Sequence, residues 1–198
     1  MASAEMPHKS KANLSSHWLR IRGIMGRNFF GVEEAIKHFG VNPSAEQLAA
    51  LSEIPFSEAR LREVKDTHVL VAVVPLSILD IRGKVERKLF FKHEDAWYNE
   101  ESFAKERGEA GWQLVPKTPV DSEKHTAQVM VYAIIGHYCA TGERLFEHAY
   151  VRTSSMNSRG YLERVGYFTA SDGLHIPITG MGTVLSTPAI RLPDSPKS

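Results

Sequence analysis

Four side chains in the second half of the chain could ligate a metal: His137, Cys139, Glu143 and His148. Imidazole, thiolate and carboxylate are the donors that zinc takes. On a helix, however, His137 and Cys139 stand roughly 200° apart around the axis, so they face different ways and cannot share an ion. A hydrogen-bonded core histidine and a packed thiol are the expected roles, with no metal and no cofactor. His93-Glu94-Asp95 sets imidazole beside carboxylates on a turn and could act as general acid and base. Nothing near it supplies a nucleophile, a phosphate loop or an oxyanion element, so a solvated turn is expected. GxGxxG, GxxxxGK[ST], HExxH and GxSxG are all absent. The residues by themselves point to no enzyme.

Between Met156 and His175 the composition is that of a contact surface. Asn157, Arg159, Tyr161, Glu163, Arg164 and Tyr167 alternate with the apolar anchors Leu162, Val165, Phe168 and Leu174. Tyrosine and arginine join large contact area to hydrogen-bonding tips, as adaptable binding sites do. The stretch is either such a face or the solvent side of an edge hairpin. As a face, its candidate ligand-binding residues are Asn157, Arg159, Tyr161, Arg164, Tyr167, Thr169, Ser171 and His175. Their side chains are expected on one exposed side, with Val165 and Phe168 pointing inward. Ser154-Ser155 and Ser171-Asp172-Gly173 read as turns, because Ser and Asp bond their own backbone and Gly accepts positive φ.

The elements that must hold these residues follow from the hydrophobic pattern. Residues 1–27 are polar and basic (Lys9, Lys11, Arg20, Arg22 and Arg27 against Glu5) and predict a mobile arm, or one that contacts nucleic acid. Residues 28–65 predict a small helical segment. Val32, Ile36 and Phe39 share a helix face closed by Gly40, Asn42-Pro43 starts a second helix carrying Leu48 and Leu51, and Ser57–Val64 forms a third. Residues 66–198 form the main unit. Thr67–Ile81 is apolar on both faces and predicts a buried strand bent at Pro75, with Arg82-Gly83-Lys84 as turn and Val85–Phe91 as hairpin partner. Asn99 caps a helix over Glu100–Arg107, and a loop follows with Trp112 and Pro119. Thr126 then caps Ala127–Ala140, apolar nearly all round and therefore central. Short strands at Tyr150–Thr153, Leu162–Phe168 and Leu174–Ile178 close the unit, and the proline-broken tail Pro177–Ser198 cannot hold a helix. Helices and strands are segregated, so the class is α+β with an antiparallel sheet.

The chain has 198 residues, 42% hydrophobic and 24% charged, the proportions of a globular fold. With 24 basic and 23 acidic side chains the net charge is +1, so no global field draws it to nucleic acid or anionic lipid, and neither partner is expected. One cysteine excludes an internal disulfide framework. No stretch reaches the roughly 18 apolar residues of a membrane span, and the N-terminus lacks a secretory pattern. A cytoplasmic location is expected, with surface display by another route left open.

Two segments together resemble a known family. WYNEESFAKERGEAGWQLVPKTPV, Trp97 to Val120, is similar to the helix and following "GWRLPT" segment of C-type-lectin-like domains of the formylglycine-generating-enzyme type. TAQVMVYAIIGHYCATGERLF falls where that fold places its second helix, and Tyr150–Ile176 resembles its closing strands. From Asn28 to Ile176, including HVLVAVVPLSILDIRGK, the order of pieces is similar to the variable proteins of diversity-generating retroelements. The resemblance implies a C-type-lectin-like domain with an antiparallel sheet and two helices, preceded by a short helical segment. It implies a receptor-like scaffold whose C-terminal surface varies and binds a protein or other macromolecule. Those relatives end in a strand reading about V/L-G-x-x-x-A-R-K, whereas PAIRLPDSPKS here implies that the last strand is absent or altered. The family's enzymes use a cysteine pair at a copper site, and its calcium-dependent lectins an Glu-Pro-Asn loop with Trp-Asn-Asp. Neither occurs here, which leaves a metal-free binding scaffold. A small enzyme or a nucleic-acid-associated protein of the same class is the alternative; the enzyme would bring His93, Glu94 or His137 into one cleft with one another or with Glu143.

Overall fold

The computed structural model describes residues 8–92, 94–119 and 125–178. The described residues begin with helix α1, His8–Met25, in the segment expected to be a mobile arm. Two apolar residues hidden among the basic ones explain it: Ile21 and Met25 are buried in the main core. Trp18 meets Trp112 edge-on at 6.1 Å, and Arg22 pairs with Glu33 and Glu34. Strand β1 is the pair Phe29–Phe30. Helix α2, Val32–Phe39, closes on Gly40 as expected but buries Val32, Ala35 and Phe39, leaving Ile36 47% exposed. Helix α3, Ala45–Ala50, starts at Ser44 rather than Asn42, because Ser44 and Gln47 cap each other reciprocally. Leu51 is buried behind it while Leu48 stays exposed. Helix α4, Glu58–Val64, is capped by Ser57 as expected.

The apolar run Thr67–Ile81 is not one strand. Strand β2 covers His68–Val73, and helix α5 covers Ile78–Lys84. The Ser77 hydroxyl accepts the Asp80 N–H at 3.0 Å and the Asp80 carboxylate accepts the Ser77 N–H at 2.9 Å, a reciprocal cap that starts a helix. Arg82-Gly83-Lys84 is therefore the end of a helix, and residues 85–91 are not the hairpin partner of β2. That partner is β3, Gly111–Pro116, in the segment expected to be a loop, paired antiparallel through Val69↔Val115 and Val71↔Gln113. Strand β1 joins the other edge of β2 in parallel, so this sheet is mixed, ordered β1-β2-β3. The helix expected over Glu100–Arg107 is reduced to a 3-10 turn, Trp97–Glu100, and helix α6, Ser102–Lys105.

Helix α7, Ala127–Thr141, is central as its sequence required. The Thr126 hydroxyl accepts the Val129 N–H, and residues 130–137 are all buried. It packs against strands of both sheets. Tyr132 bonds it to β2, its hydroxyl donating to the Ala72 carbonyl at 2.9 Å and accepting the Val74 N–H. The second sheet is antiparallel, ordered β4-β5-β6: Tyr150–Met156, Leu162–Thr169 and Gly173–His175. One hydrophobic core runs from Ile21 to Ile176. Among the described residues the architecture is mixed α+β with two small three-stranded sheets. Among the described residues no helix is long and apolar enough to cross a membrane. The expected tail lies outside the described residues from 179 onward, as do residues 1–7 of the expected arm.

Candidate functional site

Val165 and Phe168 both point into the core although they are three residues apart, which simple strand alternation forbids. A bulge resolves the mismatch. Strand β5 pairs with β6 through Gly166↔His175 and Thr169↔Gly173, so β5 spends one residue more than its partner. At the bulge Gly166 has φ 147° and Tyr167 has φ 51°. A bulky side chain at positive φ is rare and costs conformational energy. The Tyr167 N–H reaches the Ala149 carbonyl at 2.8 Å, and the Phe168 N–H reaches the Phe146 carbonyl at 3.2 Å. The result sends Phe168 inward and the Tyr167 ring out, 39% exposed.

Around Tyr167 lies a row of rings on the surface. Tyr150 stacks on it at 5.7 Å and 17°, His175 meets it edge-on at 5.9 Å, and His148 stands 6.3 Å away. Phe91 then stacks on His175 at 3.9 Å and 19°. Phe91 is held there because its N–H donates to the Leu174 carbonyl beside β6. Lys92 has φ 46° and places its ammonium 5.4 Å over the Phe91 ring. Burial holds the His175 imidazole below its ordinary range against the opposing pull of Asp172, and raises the Tyr150 phenol, with Tyr167 adding to the rise. Both rings are therefore neutral near pH 7. Arg152 lies two residues beyond Tyr150 on the same outward side of β4, and its register partner is Arg164 on β5. A shallow hollow of about 640 Å³ is lined by Phe90 with Arg87, Lys88, Lys92, Glu94 and Asp95.

Of the expected binding residues, Tyr167, His175 and Arg164 gather at this face. Arg159 and Tyr161 are exposed but sit at the opposite end of the β4–β5 hairpin, roughly 14 Å along the strand. Asn157, expected to be exposed, is buried. Its carboxamide oxygen accepts the N–H groups of Arg159 and Tyr161, so it shapes the turn. Thr169 and Ser171 bond to each other and to the Asp172 carboxylate at the β5–β6 turn. Glu163, read as part of the polar face, is fully buried, and Leu162, read as an anchor, is only partly so. The turn Ser158 is tied instead to Glu101, whose carboxylate accepts both its N–H and its hydroxyl. Tyr150, His148 and Phe91 were not anticipated. Tyr150 was legible from its two-residue spacing to Arg152, whereas nothing local to Phe91 reveals that it docks beside β6.

The imidazole of His137 is 1% exposed and lies 3.4 Å from the Glu143 carboxylate. Glu143 also pairs with Lys117 at 2.7 Å and Arg27 at 3.2 Å. Burial holds His137 below its ordinary range; Glu143 opposes this, and Lys117 and Arg27 reinforce it. For Glu143 burial favours the neutral acid, but Lys117 and His137 outweigh it and hold the carboxyl below its usual range. The cluster ties the end of α7 to the end of β3 and to the turn after α1. Burial leaves the imidazole no surface on which to meet a substrate. Cys139 is half-buried with its thiol raised by burial and by Glu86, the opposite of an activated nucleophile. Glu94 is paired with Arg87, and His93 lies outside the described residues. Among the described residues no group of three or more His, Cys, Asp or Glu side chains could hold a metal ion.

Compared with protein-family models, with curated proteins and with solved structures, the chain matches none.

Proposed function

We propose that the protein is a ligand-binding module rather than an enzyme, and that its binding face is the outward side of β4, β5 and β6. The single observation that carries this reading is Tyr167, a bulky residue held at φ 51° by a bulge that turns its ring into solvent. Strain of this kind persists where the surroundings enforce it, and it clusters at ligand sites. Tyrosine, histidine and arginine around it provide stacking area and hydrogen-bonding tips on a rigid sheet. The family reading goes with this one: a variable protein of a diversity-generating retroelement, built on a C-type-lectin-like core and working in the cytoplasm. The order of a central apolar helix followed by short closing strands supports it.

The test is a displayed library in which Arg159, Tyr161, Arg164, Tyr167, Thr169, Ser171 and His175 are randomised together. A binding face tolerates this, because ordinary surface changes usually cost less than about 0.5 kcal/mol each, and every non-glycine replacement of Tyr167 meets the same positive-φ strain that tyrosine already bears. Most members should fold, and selection against one chosen antigen should yield specific binders. Loss of folding in most members would overturn the reading. For the family, a near-identical, adenine-substituted repeat beside a reverse-transcriptase gene is the expected genomic context, and a locus without either would remove it.

A further inference from the structure

Away from the second sheet, a hollow of about 490 Å³ opens between α2, the C-terminal end of α7 and the turn after α1. Its apolar lining is Phe29 and Ala140, and its charged lining is Arg27, Glu33, Glu34 and Lys37. That volume suits a small molecule. Gly31 gives the Phe29 ring its place, since a Cβ there would stand 2.6 Å from it.

Counted with their partners, the charges fall into two linked sets and one cation left over. Glu33 and Glu34 share the single guanidinium of Arg22, which leaves one negative charge in excess. Arg27 and Lys117 share the single carboxylate of Glu143, which leaves one positive charge in excess. Lys37 follows Glu33 by one turn of α2 and feels both carboxylates, yet among the described residues it makes no ion pair, Arg22 holding both acids. Burial and Lys37 hold the His38 imidazole below its ordinary range against Glu34, so this histidine adds no charge near pH 7. The Glu34 carboxylate is also engaged by the Gly31 N–H at 2.8 Å. Glu33, with its side chain 75% exposed, is held by Arg22 through one oxygen and presents the other.

We infer that this hollow binds a free apolar α-amino acid, its carboxylate on Lys37 and Arg27, its ammonium on Glu33 and its side chain against Phe29 and Ala140. A simple anion would bring its charge in beside Glu33 and Glu34. A simple cation would bring its own beside Arg27 and Lys37. A zwitterion meets an opposite charge at each end, and charge-assisted hydrogen bonds are the stronger kind.

The test is isothermal titration of the full chain with L-leucine and L-phenylalanine, and with the N-acetyl and amide forms of each. Each blocked form lacks one of the two charges. Expected is saturable binding of at least one free amino acid, with both of its blocked forms weaker by at least about tenfold. Lys37→Gln and Glu33→Gln, both at exposed positions of α2, should each weaken the free amino acid by about tenfold as well, while Lys37→Arg keeps most of the affinity. The blocked forms require no mutation, so they decide the matter even where a variant fails to fold. Binding of either blocked form as tight as that of its parent would overturn the inference, by showing a site for a plain anion or a plain cation. Indifference to both Gln variants in folded protein would overturn it too, as would no saturable binding of either amino acid up to about 10 mM.

Discussion

The rings of Tyr150 and Tyr167 lie within 17° of parallel at 5.7 Å, yet the residue opposite Tyr150 in the ladder is Gly166. A Cβ on Gly166 would run into the Ala149 carbonyl oxygen and the Tyr150 Cα, so the two strands approach this closely only because the residue is glycine. The ring that stacks on Tyr150 comes instead from the next residue, because the bulge turns Tyr167 outward.

Tyr167→Gly separates the two contributions. The stack contributes about 0.5–1.5 kcal/mol, whereas positive φ at a non-glycine residue costs about 1–3 kcal/mol. The variant should keep its stability within about 1 kcal/mol of the parent in urea unfolding, leaning to the stable side. A loss above about 3 kcal/mol would mean that the ring belongs to the core.

Gly166→Ala should do the reverse. At φ 147° the backbone disfavours any side chain, and a Cβ there would collide with the Ala149 carbonyl oxygen, which itself accepts the Tyr167 N–H. A loss of about 2–4 kcal/mol is expected, from strain together with the broken bulge. If thermal unfolding of Gly166→Ala matched the parent, the bulge geometry described for residues 166–168 would be wrong.

How far the sequence was readable follows from which signals were local. Helix α7 was legible because an all-round apolar stretch behind a capping threonine has no stable place except a core. The closing strands were legible because turn residues separate them, although Ser154 and Ser155, read as a turn, continue β4 to Met156, and the last strand is Gly173–His175 rather than Leu174–Ile178. Ser77 and Asp80 show a readable signal overridden by a stronger-looking one. The apolar, β-branched run continues to Ile81, but the cap three residues long decides where the strand stops. Strand β3 was hidden for a different reason: Gly111–Pro116 pairs with β2 across about 40 residues of chain, and long-range pairing leaves no local periodicity. Of the ring-lined face, tyrosine and arginine content pointed to the β4–β5 hairpin, which carries Tyr150, Arg164 and Tyr167. The side chosen by each residue was not legible past Val165, since one bulge inverts the alternation on which that reading depends. Phe91 was unreadable in principle, being brought to His175 by a backbone bond to Leu174.

Ile135→Asp tests the position of α7 between the sheets. The side chain is fully buried, so the carboxylate would enter the core without a partner. A cost of several kcal/mol is expected against a total stability of about 5–15 kcal/mol, enough to lower the melting temperature sharply or to prevent folding. Ile134→Asp should behave alike, while Ile36→Asp, at a residue 47% exposed, should cost under about 1 kcal/mol. Equal tolerance of all three would contradict the burial of the helix.

Acidification should weaken the fold, and His137 is its most buried contributor among the described histidines whose ionisation is shifted. Burial holds the imidazoles of His38, His68, His137 and His175 below 6.5, the value each has when unfolded. Above about pH 6.5 they are neutral in both states and stability does not change on their account. As pH falls through that value the unfolded chain takes up protons first, so unfolding is favoured, and the loss is complete only below the folded values. Glu143, held below 4.5 by Lys117 and His137 against the effect of its own burial, adds a loss of the same sign nearer pH 4.5. Urea midpoints measured between about pH 7 and pH 5 should therefore decline, and His137→Gln should flatten part of that decline. Glu143→Gln should steepen it, because Glu143 is the group that raises the His137 imidazole while Lys117 and Arg27 lower it. A flat profile in the parent, or a His137→Gln profile that superimposes on it, would remove the buried imidazole from the account.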